Sequence, residues 1–259
     1  MKILISMFTI LLSCSANANI FSIEDVDTVS HSKIYNKLLY IEDSDRKLKQ
    51  FPHFEKFLKA SEEVVCRYDL AEHVGLRLIH RHFDLQEGQI MIENFQVVKD
   101  VPSLVTNAYN ILEVQEEEVK PSSWFFTQSI SDPISFFEFS SDPSVKQGIK
   151  KLEKDYEFFD EIKKVTEEFE IQTLMAISLL KRENLIAKDN EEYREINYED
   201  ISKSIVQIAN VDEHDSINIR TTWSFKGPRQ VGCVPSWKCI STAPWGKVGH
   251  FQKIWHANT

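Results

Sequence analysis

The chain has 259 residues, with 30 Lys and Arg against 40 Asp and Glu, a formal net charge of −10. An acidic surface without a Lys/Arg run argues against general nucleic-acid binding, which depends on phosphate neutralisation. The length allows one sizeable core or two small ones.

Taken in order, Met1-Lys2 is followed by the apolar run Ile3–Leu12 and then Ala16-Asn17-Ala18. This is the pattern of a secretory signal peptide cleaved after Ala18, with an apolar run too short to span a bilayer. Leu11-Leu12-Ser13-Cys14 offers a lipoprotein-type alternative at Cys14, but Leu12 suits that processing poorly. The expected organisation is therefore a leader over 1–18 and one globular domain over 19–259, secreted or periplasmic. No later stretch predicts a transmembrane segment.

Ser30–Ile41 predicts a short helix, and Asp43–Val65 continues helically with a break at Pro52. Val74–Ile79 and Ile90–Ile92 predict strands around a polar turn at Gln86–Gln89. Ser103–Glu113 fits a strand or a short helix. Trp124–Phe126 and Ile134–Phe139 predict strands bounded by the Asp132-Pro133 and Asp142-Pro143 turns. From Ser144 to Asn184, Ile149, Leu152, Tyr156, Phe159, Ile162, Val165 and Phe169 recur at three and four residues, predicting a long amphipathic helix. Ile171–Leu180 predicts a second, more buried helix, and Tyr198–Ala209 another. Ile217–Phe225 alternates like a strand, and a Trp- and Gly-rich end closes with Val248–His256. The fold class expected is α+β, a largely antiparallel sheet with long helices inserted between early and late strands. No internal repeat is visible.

The densest chemistry lies in Gly75–Glu93, GLRLIHRHFDLQEGQIMIE. If His80 and His82 extend the first strand, its period of two puts both rings on one face. Such a pair can hold one divalent ion, Zn, Fe or Mn, with Glu87 or Glu93 as carboxylate ligand or general base and His250 as a third imidazole. The metal would lower the pKa of a bound water for hydrolysis. A hydrogen-bonded charge network with Arg77, Arg81, Asp84 and Glu87 is the plainer reading of the same residues.

Gly75, His80, His82 and Glu87 resemble the first cupin motif, with Asn94 where that motif closes on glycine. Pro244-Trp245-Gly246 followed by His250 is similar to the second. The resemblance fits the same mononuclear metal site, with open positions for water or substrate. The same stretch also resembles a phrase of uncharacterised exported proteins, GLxLxHRHFxLxxGExM, which implies no activity.

Cys233 and Cys239 are the expected disulfide of an exported chain. Zinc on Cys233, Cys239, His250 and His256 is the alternative, and Cys66 is left as a small core residue. HExxH, GxSxG and phosphate-binding glycine loops are missing from the sequence. Two non-catalytic functions compete with the metal enzyme. Trp237 and Trp245 could present rings to a glycan or peptide, or an acidic helical face could engage a protein as a secreted effector. A small-molecule partner fits the first two readings.

Overall fold

The computed structural model describes residues 20–24, 26–115, 117–127, 134–180, 191–198, 202–210, 217–225, 233–242 and 249–252. The leader-like residues, Cys14, Trp245, Trp255 and His256 lie outside them.

Three helices come first: α1 (Thr28–Tyr35), α2 (Ile41–Lys49) and α3 (Phe54–Arg67). They lead into β1 (Val74–Leu78), β2 (Gln89–Val98), β3 (Val101–Asn110), β4 (Lys120–Phe126) and β5 (Ile134–Ser140). Next are α4 (Pro143–Leu152), α5 (Glu157–Glu168), β6 (Met175–Leu179), β7 (Glu191–Tyr198) and β8 (Lys203–Asn210). The chain ends in β9 (Ile217–Phe225), β10 (Cys233–Thr242) and β11 (Gly249–Gln252). No described helix is long and apolar enough to cross a membrane.

The α+β, mostly antiparallel expectation holds, but the sheet closes into a barrel in the order β1-β6-β4-β5-β2-β3-β8-β7-β11-β10-β9. Neighbours are antiparallel except β2 and β5, which run parallel. As the sequence suggested, a late strand joins the early ones: β9 pairs with β1. The long helix over 144–184 is absent. Asp142 caps α4 and accepts from the Ser144 amide at 2.7 Å, with Pro143 at the helix start. The chain turns after Leu152, and α5 is stopped by Glu170 at φ 54°. The second half of Ile171–Leu180 is then strand β6, because its apolar run is buried on both faces, where helical and strand patterns look alike. The helix expected over Tyr198–Ala209 is largely strand β8.

A pseudo-two-fold axis, invisible in the sequence, organises the barrel. Asp69 and Glu170 each end a helix at φ 55° and 54°. The amides of Leu70 and Ile171 then return to the carbonyls of Val65 and Thr166. Ile79 donates to Leu174 O while Leu180 donates to His73 O, both at 2.8 Å. All of these match at one sequence offset, and Leu76 lies directly opposite its own counterpart Ile177 where β1 meets β6. Leu104 and Val206 stand in the same relation where β3 meets β8. The strands β1–β5 correspond to β6–β10, and Trp124 corresponds to Trp223. Even the irregularities repeat. The β4–β5 ladder skips Ser122 and Phe137, and the β9–β10 ladder skips Thr221 and Ser236. Among the described residues the strand β11 and the helix α1 have no counterparts.

The outward faces of β1, β4, β6 and β9 carry Val74, Leu76, Leu78, Trp124, Phe126, Ile177, Leu179 and Trp223, which pack with α3, α4 and α5 in one core. Trp124 meets Phe159 of α5 edge-on at 5.6 Å, and Trp223 meets Phe54 of α3 at 5.2 Å. Removing such rings from water against the helices contributes most to holding the barrel wall in place.

Candidate functional site

The inward faces differ in kind. Residues directly opposite in antiparallel strands share a face. Gly75 pairs with Ser178 and Ser224, Arg77 with Ala176 and Thr222, and Ser123 with Ser178 and Glu138. The inside is therefore lined here by small, polar and charged side chains.

Arg77 is the centre of it. Its Nη2 is 2.6 Å from Glu138 Oε1 and 3.6 Å from Glu93 Oε2, with all three side chains buried. Arg77 sits on β1, Glu138 on β5 and Glu93 on β2, so the contacts cross the interior. The bulge in β5 explains how Glu138 arrives. Skipping one residue at Phe137 re-aims the strand, so that Phe137 lies 6.0 Å under the Arg77 guanidinium while Glu138 pairs with it. Ser123 Oγ donates to Glu138 Oε2 at 3.1 Å and stands 2.9 Å from Ser178 Oγ. Thr106 Oγ1 donates to Glu93 Oε2 at 3.4 Å.

The connection from β1 to β2 closes one end of this interior. His80 and His82 follow the end of β1, both buried, with ring centroids 4.8 Å apart. His80 Nδ1–H donates to Leu78 O at 2.8 Å, which fixes its tautomer. His82 Nε2 is 3.9 Å from Glu138 Oε1. Between them Arg81 turns outward, its guanidinium 4.1 Å over the Tyr40 ring and its Nη1 2.8 Å from Asp84. Phe83 and Leu85 turn inward and join Tyr35, Ile79, Met91 and Phe137 in a second apolar cluster. Asn36 pins the segment twice, donating to Leu85 O and accepting from Leu85 N, each at 2.8 Å. Ser44 Oγ holds Ile79 O at 2.7 Å. The HRHFDL phrase thus alternates between inward rings and an outward arginine clamp.

The structure unites His80, His82 and Glu93 with the Arg77 cluster, but not in the set expected. Glu87 is exposed on the turn before β2, away from the buried histidines. Glu93 faces Arg77. His250 is on β11, three strands from β1, and its side chain is outside the described residues. Among the described residues no three His, Cys, Asp or Glu side chains form a metal-ligand group. Cys233 and Cys239 both lie on β10. Six residues of extended strand span roughly 20 Å, beyond the Cα separation a disulfide bridges. Pairing them would require β10 to be given up. Cys66 is half-buried and forms no disulfide among the described residues, and burial, with Glu62 and Asp69 nearby, pushes its thiol pKa up. That makes it a poor nucleophile.

Glu138 and Ser123 were missed from the sequence. A usable signal was present: Glu138 is the lone charge in the apolar run ISFFEFS, a pattern that requires a buried partner.

No family model, curated protein or solved structure matches the chain.

Proposed function

We propose that this is a small-molecule-binding protein whose site is the barrel interior around Arg77, Glu93 and Glu138. The observation that carries the reading is the buried Arg77 shared by two carboxylates. Isolating such charges from water is costly, and apolar residues of similar size would serve stability as well or better. Eleven strands among the described residues also enclose more room than the eight whose interior side chains just fill, and Ala176, Ser178 and Ser224 are small side chains on this wall. Arg77 lies between two buried carboxylates, so the ligand class we propose is one that carboxylates recognise, cationic or rich in hydrogen-bond donors, an amine or a polyol. The setting is export, on the leader-like first residues. A mature protein recovered from a periplasm and beginning at Asn19 by mass is the expected product.

The test is thermal shift with polyamines and amino sugars against dicarboxylates, on wild type and Glu138→Gln. A ligand at about a hundred times its Kd adds about 2.7 kcal/mol of stability. A shift with amines that disappears in Glu138→Gln is expected. A shift only with dicarboxylates, or one that survives the substitution, overturns the reading.

A metal-dependent hydrolase is the second reading, and the His80–His82 pair favours it. The Leu78 carbonyl holds His80 Nδ1–H, leaving Nε2 as the donor atom, the arrangement found behind metal-bound imidazoles. Glu138, 3.9 Å from His82, is the carboxylate at hand. About one equivalent of metal in the purified protein, lost in a folded His80→Ala/His82→Ala variant, would support it. Metal-free protein after gentle purification would remove it.

A further inference from the structure

Between α1, α2 and the ends of β4 and β6 lies an open cleft of about 370 Å³. This is within the range of small-ligand sites. Its floor is apolar, formed by Leu38, Ile79, Phe125 and Phe126, and its rim carries Lys37 and Lys47. Both lysines are exposed, and neither forms an ion pair among the described residues. On a chain of net charge −10, two uncompensated cations over an apolar floor are a distinct feature.

We infer that this cleft binds an anionic amphiphile, a short alkyl or acyl chain headed by a carboxylate or phosphate. Three observations converge. The described residues form an apolar hollow of this size open at the surface, and its volume suits a short chain. The charge at the rim selects the sign of the head group. The wall supplied by α1 belongs to a helix that has no counterpart among the described residues under the pseudo-two-fold axis, so it departs from the matched scaffold. The apolar chain lies along Leu38 and Phe125, and its head is held at the mouth by the two ammonium groups. The cleft shares Ile79 and Phe125 with the apolar cluster that holds Phe137 and Ala176, but its lining does not include Arg77, Glu93 or Glu138, and the inference does not depend on the reading given to them.

The experiment is calorimetric titration with decanoate, decyl phosphate and decyltrimethylammonium, each below its micelle concentration. Wild type should bind at least one of the anions and bind the cation at least tenfold more weakly. Lys37→Ala/Lys47→Ala should weaken the anion at least tenfold. Thr173→Trp, placing an indole at an exposed rim position, should abolish binding while leaving the fold intact by circular dichroism. Glu138→Gln should bind decanoate like wild type, which separates this site from the barrel interior. Equal binding of cation and anions, no binding of either anion, or undiminished binding in the double lysine variant would overturn the assignment.

Discussion

The two halves of the barrel share a backbone and differ in their chemistry. Under the pseudo-two-fold axis Trp124 returns as Trp223 and Phe126 as Phe225, on the outward face that packs the helices. At the register positions of the ionic cluster, Arg77 returns as Ser178, Glu93 as Tyr193 and Glu138 as Trp237. The helix-packing wall was kept in both copies, and the Arg–Glu set belongs to the first alone. What tolerates change is the lining; what does not is the aromatic contact between strand and helix.

That contrast can be broken at its strongest point first. Trp124→Ala and Trp223→Ala should each cost about 3–5 kcal/mol by urea unfolding, as large-to-small core changes do. A loss in one half only would mean the halves are not mechanically equivalent. Next, Arg77→Met should cost a comparable 3–5 kcal/mol by taking the cation away from two buried carboxylates, and adding Glu138→Leu should recover part of it. Its counterpart Ser178→Ala should cost about 1 kcal/mol. A double variant no better than Arg77→Met alone would deny that the ion pair is the reason.

The third test concerns α1. Burial holds the His31 pKa at about 4, below its ordinary 6.5, with the ring edge-on to Phe139 at 5.7 Å. The unfolded chain therefore binds the extra proton first. The stabilisation from neutral His31 is complete above pH 6.5 and is lost as pH falls toward 4, on the order of 3 kcal/mol. Stability against pH for wild type and His31→Phe should diverge in that window, and parallel curves would refute it. The smallest effect sharpens the comparison by one carbon. A Cβ on Gly75 would lie 2.4 Å from Trp223 O, whereas its counterpart Ala176 already carries one. Gly75→Ala should cost about 1–3 kcal/mol, and Ala176→Gly only about 0.5–1, read from denaturation midpoints.

The sequence carried β1, β2, β4, β5 and β9, because their alternation and flanking turns are local. It misplaced α5 and β6 because the helix stop is Glu170 in the left-handed region, where glycine is the usual marker. It misread Tyr198–Ala209 because β8 carries no alternation strong enough to tell strand from helix without its partners. The repeat was hidden because the matched positions are seldom identical; SSWFF against TTWSF is the best remnant. Of the site, His80, His82 and Glu93 were legible as residues of interest. Their true partner was not, since Glu138 reaches Arg77 only through a bulge and a closed sheet.

The closure itself obeys a rule of parity. A ring of strands can alternate up and down throughout only if their number is even. This one has eleven among the described residues, so one like-directed neighbour pair is unavoidable, and the barrel places it at β2 and β5. At the matching seam β11 wedges between β7 and β10 and restores alternation there. The last strand is thus what makes the circumference odd and lopsided. A chain ending before Gly249 could close on ten strands with two parallel seams and true twofold balance, so the width of the lumen is set by the four residues of β11.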